Sequence, residues 1–419
     1  MKKPELLLPA GSLSKLKTAF LYGADAVYAG TPDMSLRAKS QFPLDELEEG
    51  IKFARNIGKK VYLALNLFSH NSDVEKLPSF INALKALRPD GIIISDPGVF
   101  SYVKNEIPKA KIRVSTQANV CSHLTVNFWK SMGADLCVLG REVSFAEACE
   151  IRKKCGAIGL EIFVHGSMCV SYSGRCLMSA FMAGRSANKG NCAHSCRWKY
   201  KSKLLLEEEL RPGEYMELCE DERGSYIFNS KDLCLMPKLL DILGAGFDSL
   251  KIEGRNKSQY YAAQTARVYR KAIDDCFNIL SAGKENVWNS DIYMQELQTL
   301  QNRGYSLGFF DGMPNSDAQD YLNTSSKSGW RNAGVVVKNS NNELTVELRH
   351  KIKKGDEIEI LSPFKFEPEK IVLDKIYDAQ NGSLVEEIAP GKVLQAVKIQ
   401  VKTELSPLFP ENTIMRIKL

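Results

Sequence analysis

The 419-residue chain lacks several sequence features that identify common classes of protein. It has only five histidines and neither a His-Glu-x-x-His nor a Gly-x-Ser-x-Gly motif, so common hydrolase signatures are missing. No Gly-x-Gly-x-x-Gly follows an apolar run, which weakens the case for an open dinucleotide-binding sheet. No apolar run approaches the ~20 residues that cross a bilayer, and the leucine run near the N-terminus is too short for a signal peptide. We therefore expect a cytoplasmic protein without a membrane partner.

Eight short apolar runs alternate with helical patterns over the first 255 residues. They are ELLLPAG at 5, DAVYAG at 25, KVYLALN at 60, GIIISDPG at 91, IRVSTQAN at 112, DLCVLGRE at 135, LEIFVHG at 160 and DSLKIEGR at 248. Runs rich in Val, Ile and Leu indicate strands buried on both faces of a parallel sheet. Eight such units within about 250 residues predict a TIM-type (β/α)8 barrel, with an open doubly wound sheet as the alternative.

The gap between the seventh and eighth runs is far longer than the others. It predicts an insertion over about 165–245, which leaves the barrel at its C-terminal face, where active sites are built. An amphipathic helix is predicted over 258–280, and a polar linker follows around 321–332. Alternating short strands with Asn-Gly and Pro-Gly turns then predict a small all-β barrel domain. The expected domains are 1–320, the barrel with its insertion and trailing helices, and 331–419.

The insertion carries four cysteines in a basic environment. They are Cys169, Cys176, Cys192 and Cys196, spaced C-x6-C-x15-C-x3-C, and no Asp or Glu occurs from 162 to 206. Thiolates at such spacing suit an iron–sulfur cluster or zinc, and unliganded thiols are the third possibility. Cys219 or Cys234 could replace one of the four. The other cysteines (Cys121, Cys137, Cys149, Cys155 and Cys276) fall in apolar segments, where we expect small buried side chains.

The segment EIFVHGSMCVSYSGRCLMS, residues 161–179, resembles the signature of the U32 peptidase family, as do PELLLPAGS, YGADAVYAG, SDPGV, SLKIEGR and VYRKAIDD elsewhere. The resemblance implies a [4Fe–4S] cluster on the four cysteines of the insertion. It further implies hydroxylation, either of a tRNA wobble uridine, of a ribosomal RNA cytidine or of a ubiquinone precursor, depending on the branch. The likeness is greatest to the branch that modifies tRNA, which implies dependence on prephenate. The family name preserves an older assignment as collagenase-like peptidases.

Polar residues at the predicted strand ends form the candidate catalytic site. They are Asn66, Asp96, Gln117, Asn119, Arg141, Glu142, His165, Glu253 and Arg255. Arg141 and Arg255 could bind the carboxylates of a small acid such as prephenate, and His165 could move a proton. An Arg141–Glu253 ion pair with a purely structural role is the alternative. A peptidase would instead need Ser167 or Cys169 paired with His165.

Basic and aromatic residues around the cysteines are the candidate tRNA contacts. Arg175, Arg185, Lys189, Arg197 and Lys199 could bind phosphates, and Trp198 and Tyr200 could stack on an unpaired base. A solvated basic loop that balances cluster charge is the alternative. Arg267, Arg270 and Lys271 share the helix after the eighth strand and could contact the RNA backbone, unless they form an ordinary solvated face.

Overall fold

The apolar runs become the strands of a parallel sheet. The computed structural model describes residues 2–30, 42–67, 69–168, 230–283, 288–314, 318, 328–340, 342–391 and 396–419, with short pieces between 171 and 226. Its strands up to residue 306 are β1 (Glu5–Ala10), β2 (Ala26–Gly30), β3 (Lys60–Leu65), β4 (Gly91–Ile94), β5 (Ile112–Val114), β6 (Leu136–Val138), β7 (Gly159–Gly166), β8 (Leu206–Glu207), β9 (Tyr215–Met216), β10 (Cys219–Asp221), β11 (Gly224–Tyr226), β12 (Asp232–Cys234), β13 (Ser249–Ile252) and β14 (Tyr305–Ser306).

Strands β1 to β7 and β13 form a closed barrel. Each of β1 to β7 pairs in parallel with the next, and β13 pairs in parallel with both β7 and β1. Side chains on the outer face of these strands join one large hydrophobic core with the helices, whereas Leu7, Tyr28, Tyr62 and Ile93 belong to a separate small cluster. The predicted TIM-type barrel is therefore confirmed, and the open-sheet alternative is wrong.

Helices cover the outside of the barrel. They are α1 (Leu13–Leu21), α2 (Leu44–Asn56), α3 (Asn71–Val74), α4 (Leu77–Leu87), α5 (Pro97–Glu106), α6 (His123–Ser131), α7 (Phe145–Cys155), α8 (Met178–Ala183), α9 (Leu239–Gly244), α10 (Gln259–Ser281) and α11 (Asp291–Gln298). Serine N-caps start several of them: Ser144 and Glu147 form a capping box at α7, and Ser258 caps α10. Among the described residues, no helix has both the length and the apolarity that crossing a bilayer requires.

The insertion leaves and rejoins the barrel at the C-terminal end of β7. There β12 pairs antiparallel with β7, with Leu233 opposite Gly166 and Cys234 opposite His165. Strand β14 adds to the outer edge of β12 in parallel. Between these points β8 pairs with β9 and β10 with β11. The segment that carries the cysteines thus begins and ends beside the mouth of the barrel.

The C-terminal part is an antiparallel all-β half-barrel with its own hydrophobic core. Its strands are β15 (Trp330–Ser340), β16 (Glu343–Leu348), β17 (Ile352–Lys353), β18 (Glu357–Leu361), β19 (Glu369–Val372), β20 (Ile376–Asp378), β21 (Leu384–Val385), β22 (Glu387–Ile388), β23 (Ala396–Gln400) and β24 (Ile414–Lys418). Eight of them form one sheet in the order β19-β18-β24-β15-β16-β23-β20-β21, and β17 pairs with β22. A small all-β domain is what the short strands and turn pairs predict.

A buried ion-pair network joins the half-barrel to the helices of the barrel. Arg416 Nη2 lies 3.0 Å from Glu296 of α11 and 2.6 Å from Glu359 of β18. Arg267 of α10 also pairs with Glu296 and donates to the carbonyl oxygen of Phe366. Arg267 is only 5% exposed, so the prediction that it contacts RNA is wrong.

The neighbouring basic residues on α10 are held by acidic partners. Arg270 pairs with Asp25 and Asp274, and Lys271 pairs with Asp275. The alternative for this helix was an ordinary solvated face, and acidic neighbours neutralise Arg270 and Lys271 on it.

Candidate active site at the mouth of the barrel

Arg141 and Glu253 meet across the C-terminal end of β7. Arg141 follows β6 and Glu253 follows β13, and Arg141 Nη2 lies 3.6 Å from Glu253 Oε2. The guanidinium carbon of Arg141 also lies 3.9 Å from the ring centroid of Phe163, a cation–π contact. Tyr28 donates a 3.0 Å hydrogen bond to Glu253 Oε2. The predicted ion pair is therefore present, and two aromatic rings hold it in place.

Tyr28 lies at the centre of several charged groups inside the barrel. Lys251 Nζ is 4.5 Å and the Arg255 guanidinium carbon 5.8 Å from its ring centroid. Burial, and then the charge of Glu253, raise the pKa of Tyr28 well above its usual range. The phenol therefore stays protonated and acts as a hydrogen-bond donor. Arg255, only 4% exposed, is buried beside it.

A second charged layer lies deeper in the barrel. Glu161, fully buried, accepts a hydrogen bond from Ser249 at 2.7 Å and lies 3.1 Å from Lys251 Nζ. Arg113 Nη2 lies 3.4 Å from Glu161 and 2.9 Å from Glu5. Burial opposes ionisation of Glu161, but Lys251 and Arg113 outweigh it and lower its pKa. Burial also lowers the pKa of Lys251, and the negative charge of Glu161, which acts to raise that pKa, offsets only part of the effect.

Sequence reasoning missed this inner layer. Its signal is a polar residue at alternate positions of strands that are otherwise apolar: Ser249, Lys251 and Glu253 in one run, and Glu161 in another. Side chains that alternate along a strand point to the same face, so these residues share the barrel interior. The two charged layers contain four basic side chains, Arg113, Arg141, Lys251 and Arg255, and three carboxylates, Glu5, Glu161 and Glu253. A further carboxylate, that of Glu142, lies at the C-terminal end of the barrel.

His165 does not share that interior face. The pairing of β13 with β7 shifts by one residue, so that Lys251 pairs with Phe163 but the next residue, Ile252, pairs with His165. This bulge turns the imidazole toward the core between sheet and helices, since Ile252 belongs to that core. Its ring centroid lies 5.9, 5.6 and 5.3 Å from those of Tyr261, Tyr269 and Tyr305.

Burial determines the protonation of His165. The residue is 1% exposed, and burial lowers its pKa to about 4 despite the nearby charge of Asp232. Asp232 is itself held by Arg303, whose Nη2 lies 2.5 Å away. His165 Nδ1 is 3.5 Å from the hydroxyl of Tyr269. At neutral pH the imidazole is therefore uncharged and enclosed by tyrosines.

Of the other predicted strand-end residues, Asp96 caps a helix, and Asn66 and Gln117 contact each other. Asp96 accepts a hydrogen bond from the backbone N–H of Val99 at 2.9 Å and is the N-cap of α5, a structural role. Asn66 Nδ2 donates to Gln117 Oε1 at 3.0 Å, which joins the ends of β3 and β5. Asn119 adopts a left-handed conformation with φ of 59°.

Cys121 lies beside Glu142 at the same end of the barrel, with Sγ 3.8 Å from Oε1. It is half-buried, as is Cys149, whereas buried side chains were expected for most of these cysteines. That expectation holds for Cys137, Cys155 and Cys276.

The predicted cysteine ligands are only partly described. Cys176, Cys192 and Cys196 are half-buried, and Cys169 lies outside the described residues. Within the part of the chain that the structure describes, no group of three or more His, Cys, Asp or Glu side chains is arranged to hold a metal ion. Cys234 is buried between the Tyr269 hydroxyl and Met294, and burial raises its pKa to about 11. A protonated thiol in that position is a poor substitute ligand.

The predicted RNA contacts are also only partly described. Arg185 donates to the carbonyl oxygen of Cys192 at 3.3 Å, and Arg197 lies in a short 3-10 helix. In the same region, Ser179 Oγ donates to the carbonyl oxygen of Arg185 and accepts from the N–H of Ala193. The remaining predicted contacts lie outside the described residues: Arg175, Lys189, Trp198, Lys199 and Tyr200.

A parallel eight-stranded barrel with charged residues at the carboxyl ends of its strands has the architecture of TIM-barrel enzymes. Comparison with known proteins defines the family more closely. The model of peptidase family U32 matches residues 11–320, and the model of the U32 C-terminal domain matches residues 329–416. The chain belongs to the U32 family.

Curated relatives span nearly the whole chain. The tRNA hydroxylation protein P of Escherichia coli is 39% identical over 404 residues, which cover 87% of each protein. The tRNA hydroxylation protein P1 of Bacillus subtilis is 36% identical over 420 residues, covering 100% of this chain and 96% of the relative. The 23S rRNA 5-hydroxycytidine C2501 synthase of E. coli is 32% identical over 270 residues, 64% of this chain but 39% of that protein.

Proposed function

We propose that this chain is an RNA-modifying hydroxylase that converts the wobble uridine of tRNA to 5-hydroxyuridine. The observation that carries the proposal is its similarity, over barrel and C-terminal domain together, to proteins named for tRNA hydroxylation. The proposed product carries a C5–OH bond where uracil has a C5–H bond. The similarity to the ribosomal RNA synthase covers a much smaller share of that protein, which favours tRNA over ribosomal RNA.

The arginines of the barrel mouth suit a small carboxylate co-substrate, and we assign prephenate to it. Prephenate carries two carboxylates, and guanidinium groups bind carboxylates in bidentate geometry. Arg255 lies near the ring of Tyr28, and Arg141 pairs with Glu253, which accepts a hydrogen bond from Tyr28. These two arginines are the groups that would hold prephenate. A bound carboxylate would compete with Glu253 for Arg141.

The basic segment after β7 is the proposed contact for the tRNA backbone. It leaves and rejoins the barrel beside the mouth, so RNA bound to it would lie next to the charged site. Arg175, Arg185, Lys189 and Arg197 would neutralise phosphates and Trp198 would stack on a base. The segment from 162 to 206 has no carboxylate that would repel the RNA.

The same segment is the proposed site of a [4Fe–4S] cluster on Cys169, Cys176, Cys192 and Cys196. The support is the spacing of the four cysteines and the family to which the chain belongs. When bound, such a cluster would supply electron transfer or a Lewis-acidic iron close to the barrel mouth. The neighbouring Arg175 and Arg197 would offset part of its negative charge.

Peptidase activity, which the family name records, finds little support in the geometry. A Ser167 or Cys169 nucleophile would need His165 as its base. The imidazole instead packs against three tyrosines and is almost fully buried. A general base works best with a pKa near the operating pH, and burial holds the pKa of His165 near 4.

Expression in a bacterium without its own tRNA hydroxylation proteins tests the proposed reaction. Digested tRNA and ribosomal RNA would be analysed for 5-hydroxyuridine and 5-hydroxycytidine by mass spectrometry. We expect 5-hydroxyuridine in tRNA, reduced at least about tenfold by Arg141→Ala or Arg255→Ala because each removes a charged contact worth about 1.5–3 kcal/mol. The control Arg55→Ala removes an exposed arginine of α2. Hydroxycytidine alone, or no modified nucleoside, would refute the assignment.

Binding and metal analysis test the two proposed ligands separately. Calorimetry with prephenate should give a complex that Arg141→Ala and Arg255→Ala weaken and Arg55→Ala does not. Anaerobic purification should give about four irons and four sulfides per chain, lost when any of the four cysteines of the insertion is changed to alanine. Retained iron in Cys234→Ala is the matched control, and iron content unaffected by all four changes would refute the ligand set.

A further inference from the structure

We propose that Tyr261 is a positioning residue, which holds the turn of residues 253–255 in the conformation that presents its charged side chains to the co-substrate. This inference rests on the proposed function and adds a residue to the same site. Tyr261 lies in the first turn of α10, and its hydroxyl donates a 2.7 Å hydrogen bond to the backbone carbonyl oxygen of Glu253. The turn follows β13 and carries both the partner of Arg141 and the second arginine assigned to prephenate, Arg255.

The main chain of Glu253 is held from two sides. Its N–H donates to the carbonyl oxygen of His165 at 2.8 Å, and its own carbonyl oxygen accepts from Tyr261. Gly166 packs against the same carbonyl group, where a Cβ would lie 2.5 Å from the oxygen. The carboxylate of Glu253, in contrast, accepts from Tyr28. Main chain and side chain are therefore fixed by different groups, and Tyr261 is the one that α10 supplies to the main chain.

The ring of Tyr261 lies directly against the next residue of the turn, Gly254. That glycine has a φ of 143°, which side chains other than glycine rarely adopt. A Cβ there would lie 2.9 Å from Cε1 of Tyr261. Arg255 follows at once and is 4% exposed. Because a buried side chain in a packed site has little room to adjust, a change in the backbone of the turn is transmitted to the guanidinium group of Arg255.

Tyr261 is itself firmly placed. It is 6% exposed, and its backbone N–H donates to Oγ of Ser258, the N-cap of α10, at 3.2 Å. Burial raises the pKa of Tyr261 well above its usual range, so the hydroxyl stays protonated and remains a donor. On the neighbouring face of the helix, the hydroxyl of Tyr260 lies 2.8 Å from Oγ1 of Thr299, just after α11. Such support from a rigid element is what a precise binding site requires.

Calorimetry with prephenate and the full-length protein tests the inference. Tyr261→Phe removes only the hydroxyl, so a buried carbonyl oxygen loses a donor and the turn can relax. We expect prephenate binding to weaken about tenfold, with no change in affinity for tRNA. Tyr260→Phe is the matched control, since Tyr260 is also 6% exposed but its hydroxyl bonds to Thr299. It should lower the melting temperature to a similar degree and leave prephenate affinity unchanged.

A double-mutant cycle separates positioning from a general loss of stability. If Tyr261 acts through Arg255, Tyr261→Phe should change prephenate affinity by less than about twofold in the Arg255→Ala background. Two independent losses would instead multiply to about a hundredfold. Circular dichroism of each variant verifies that the comparison is made between folded proteins.

The proposed function and this inference can fail separately. If prephenate binds, and Arg255→Ala weakens it but a folded Tyr261→Phe does not, the inference is overturned and the co-substrate assignment stands. Losses that multiply in the double variant, or a Tyr261→Phe protein that matches Tyr260→Phe in every measurement, also overturn it, because the role is then purely structural. If the wild type binds no prephenate, the assigned co-substrate is wrong and the inference fails with it.

Discussion

The protonation of His165 offers a quantitative test of the site. Burial lowers its pKa from the ordinary 6.5 to about 4. The unfolded chain takes up a proton near pH 6.5, but the folded protein resists it until about pH 4. Stability from this group is therefore complete above about pH 7.5 and falls as the pH drops through the interval from 6.5 to 4. With about 1.4 kcal/mol per pKa unit, the loss between pH 7.5 and pH 5 is about 2 kcal/mol.

Two measurements check this value. The chain has five histidines, so histidine-selective 13C labelling gives a small set of imidazole signals, and the signal missing in His165→Phe is that of His165. It should titrate near pH 4. Urea denaturation should show that the wild type loses about 2 kcal/mol more than His165→Phe between pH 7.5 and pH 5.

The comparison is internally controlled, since any packing change in the variant affects both pH values alike. Titration of His165 at pH 6 or above, or equal pH dependence in the two proteins, would refute the buried, tyrosine-enclosed imidazole. The residue would then again be a candidate general base.

Two further predictions concern the framework of the site. Arg416→Met should destabilise the protein by about 3–5 kcal/mol in urea because it removes the arginine that pairs with the buried carboxylate of Glu359; a loss below about 1 kcal/mol would show that the interdomain network is not coupled to folding. Gly166→Ala should destabilise more than Gly58→Ala in thermal unfolding. Both glycines have positive φ, but only at Gly166 would a Cβ meet the carbonyl oxygen of Glu253, at 2.5 Å, whereas nothing lies within 4 Å at Gly58. Equal effects would contradict that close approach.

The architecture of the barrel follows from local patterns in the sequence. Each of the eight apolar runs is a strand, because a stretch rich in Val, Ile and Leu that is buried on both faces has few other stable environments. The amphipathic helix expected over 258–280 is α10, because amphipathic periodicity acts locally. The polar residues that end the strands could be placed at the mouth for the same reason, and Arg141 does meet Glu253 there.

The contacts of those side chains, in contrast, depend on how distant segments pack. Glu5, Arg113, Glu161 and Lys251 lie far apart in the sequence, and the closure of the barrel alone brings them within ion-pair distance. Strand alternation predicts that His165 faces the interior with Glu161 and Phe163. A one-residue shift in the pairing of β13 with β7 places the His165 side chain on the opposite face of the sheet, and no local sequence signal marks that shift.

The same limit applies to Arg267. On a helix its spacing from Arg270 and Lys271 is typical of an exposed basic face. In the folded chain Arg267 pairs with Glu296 of α11 and donates to the carbonyl oxygen of Phe366 in the C-terminal domain. Periodicity records which residues share a face of an element, because that depends on local geometry. What covers the face depends on contacts between distant segments, which the chain forms only when it folds.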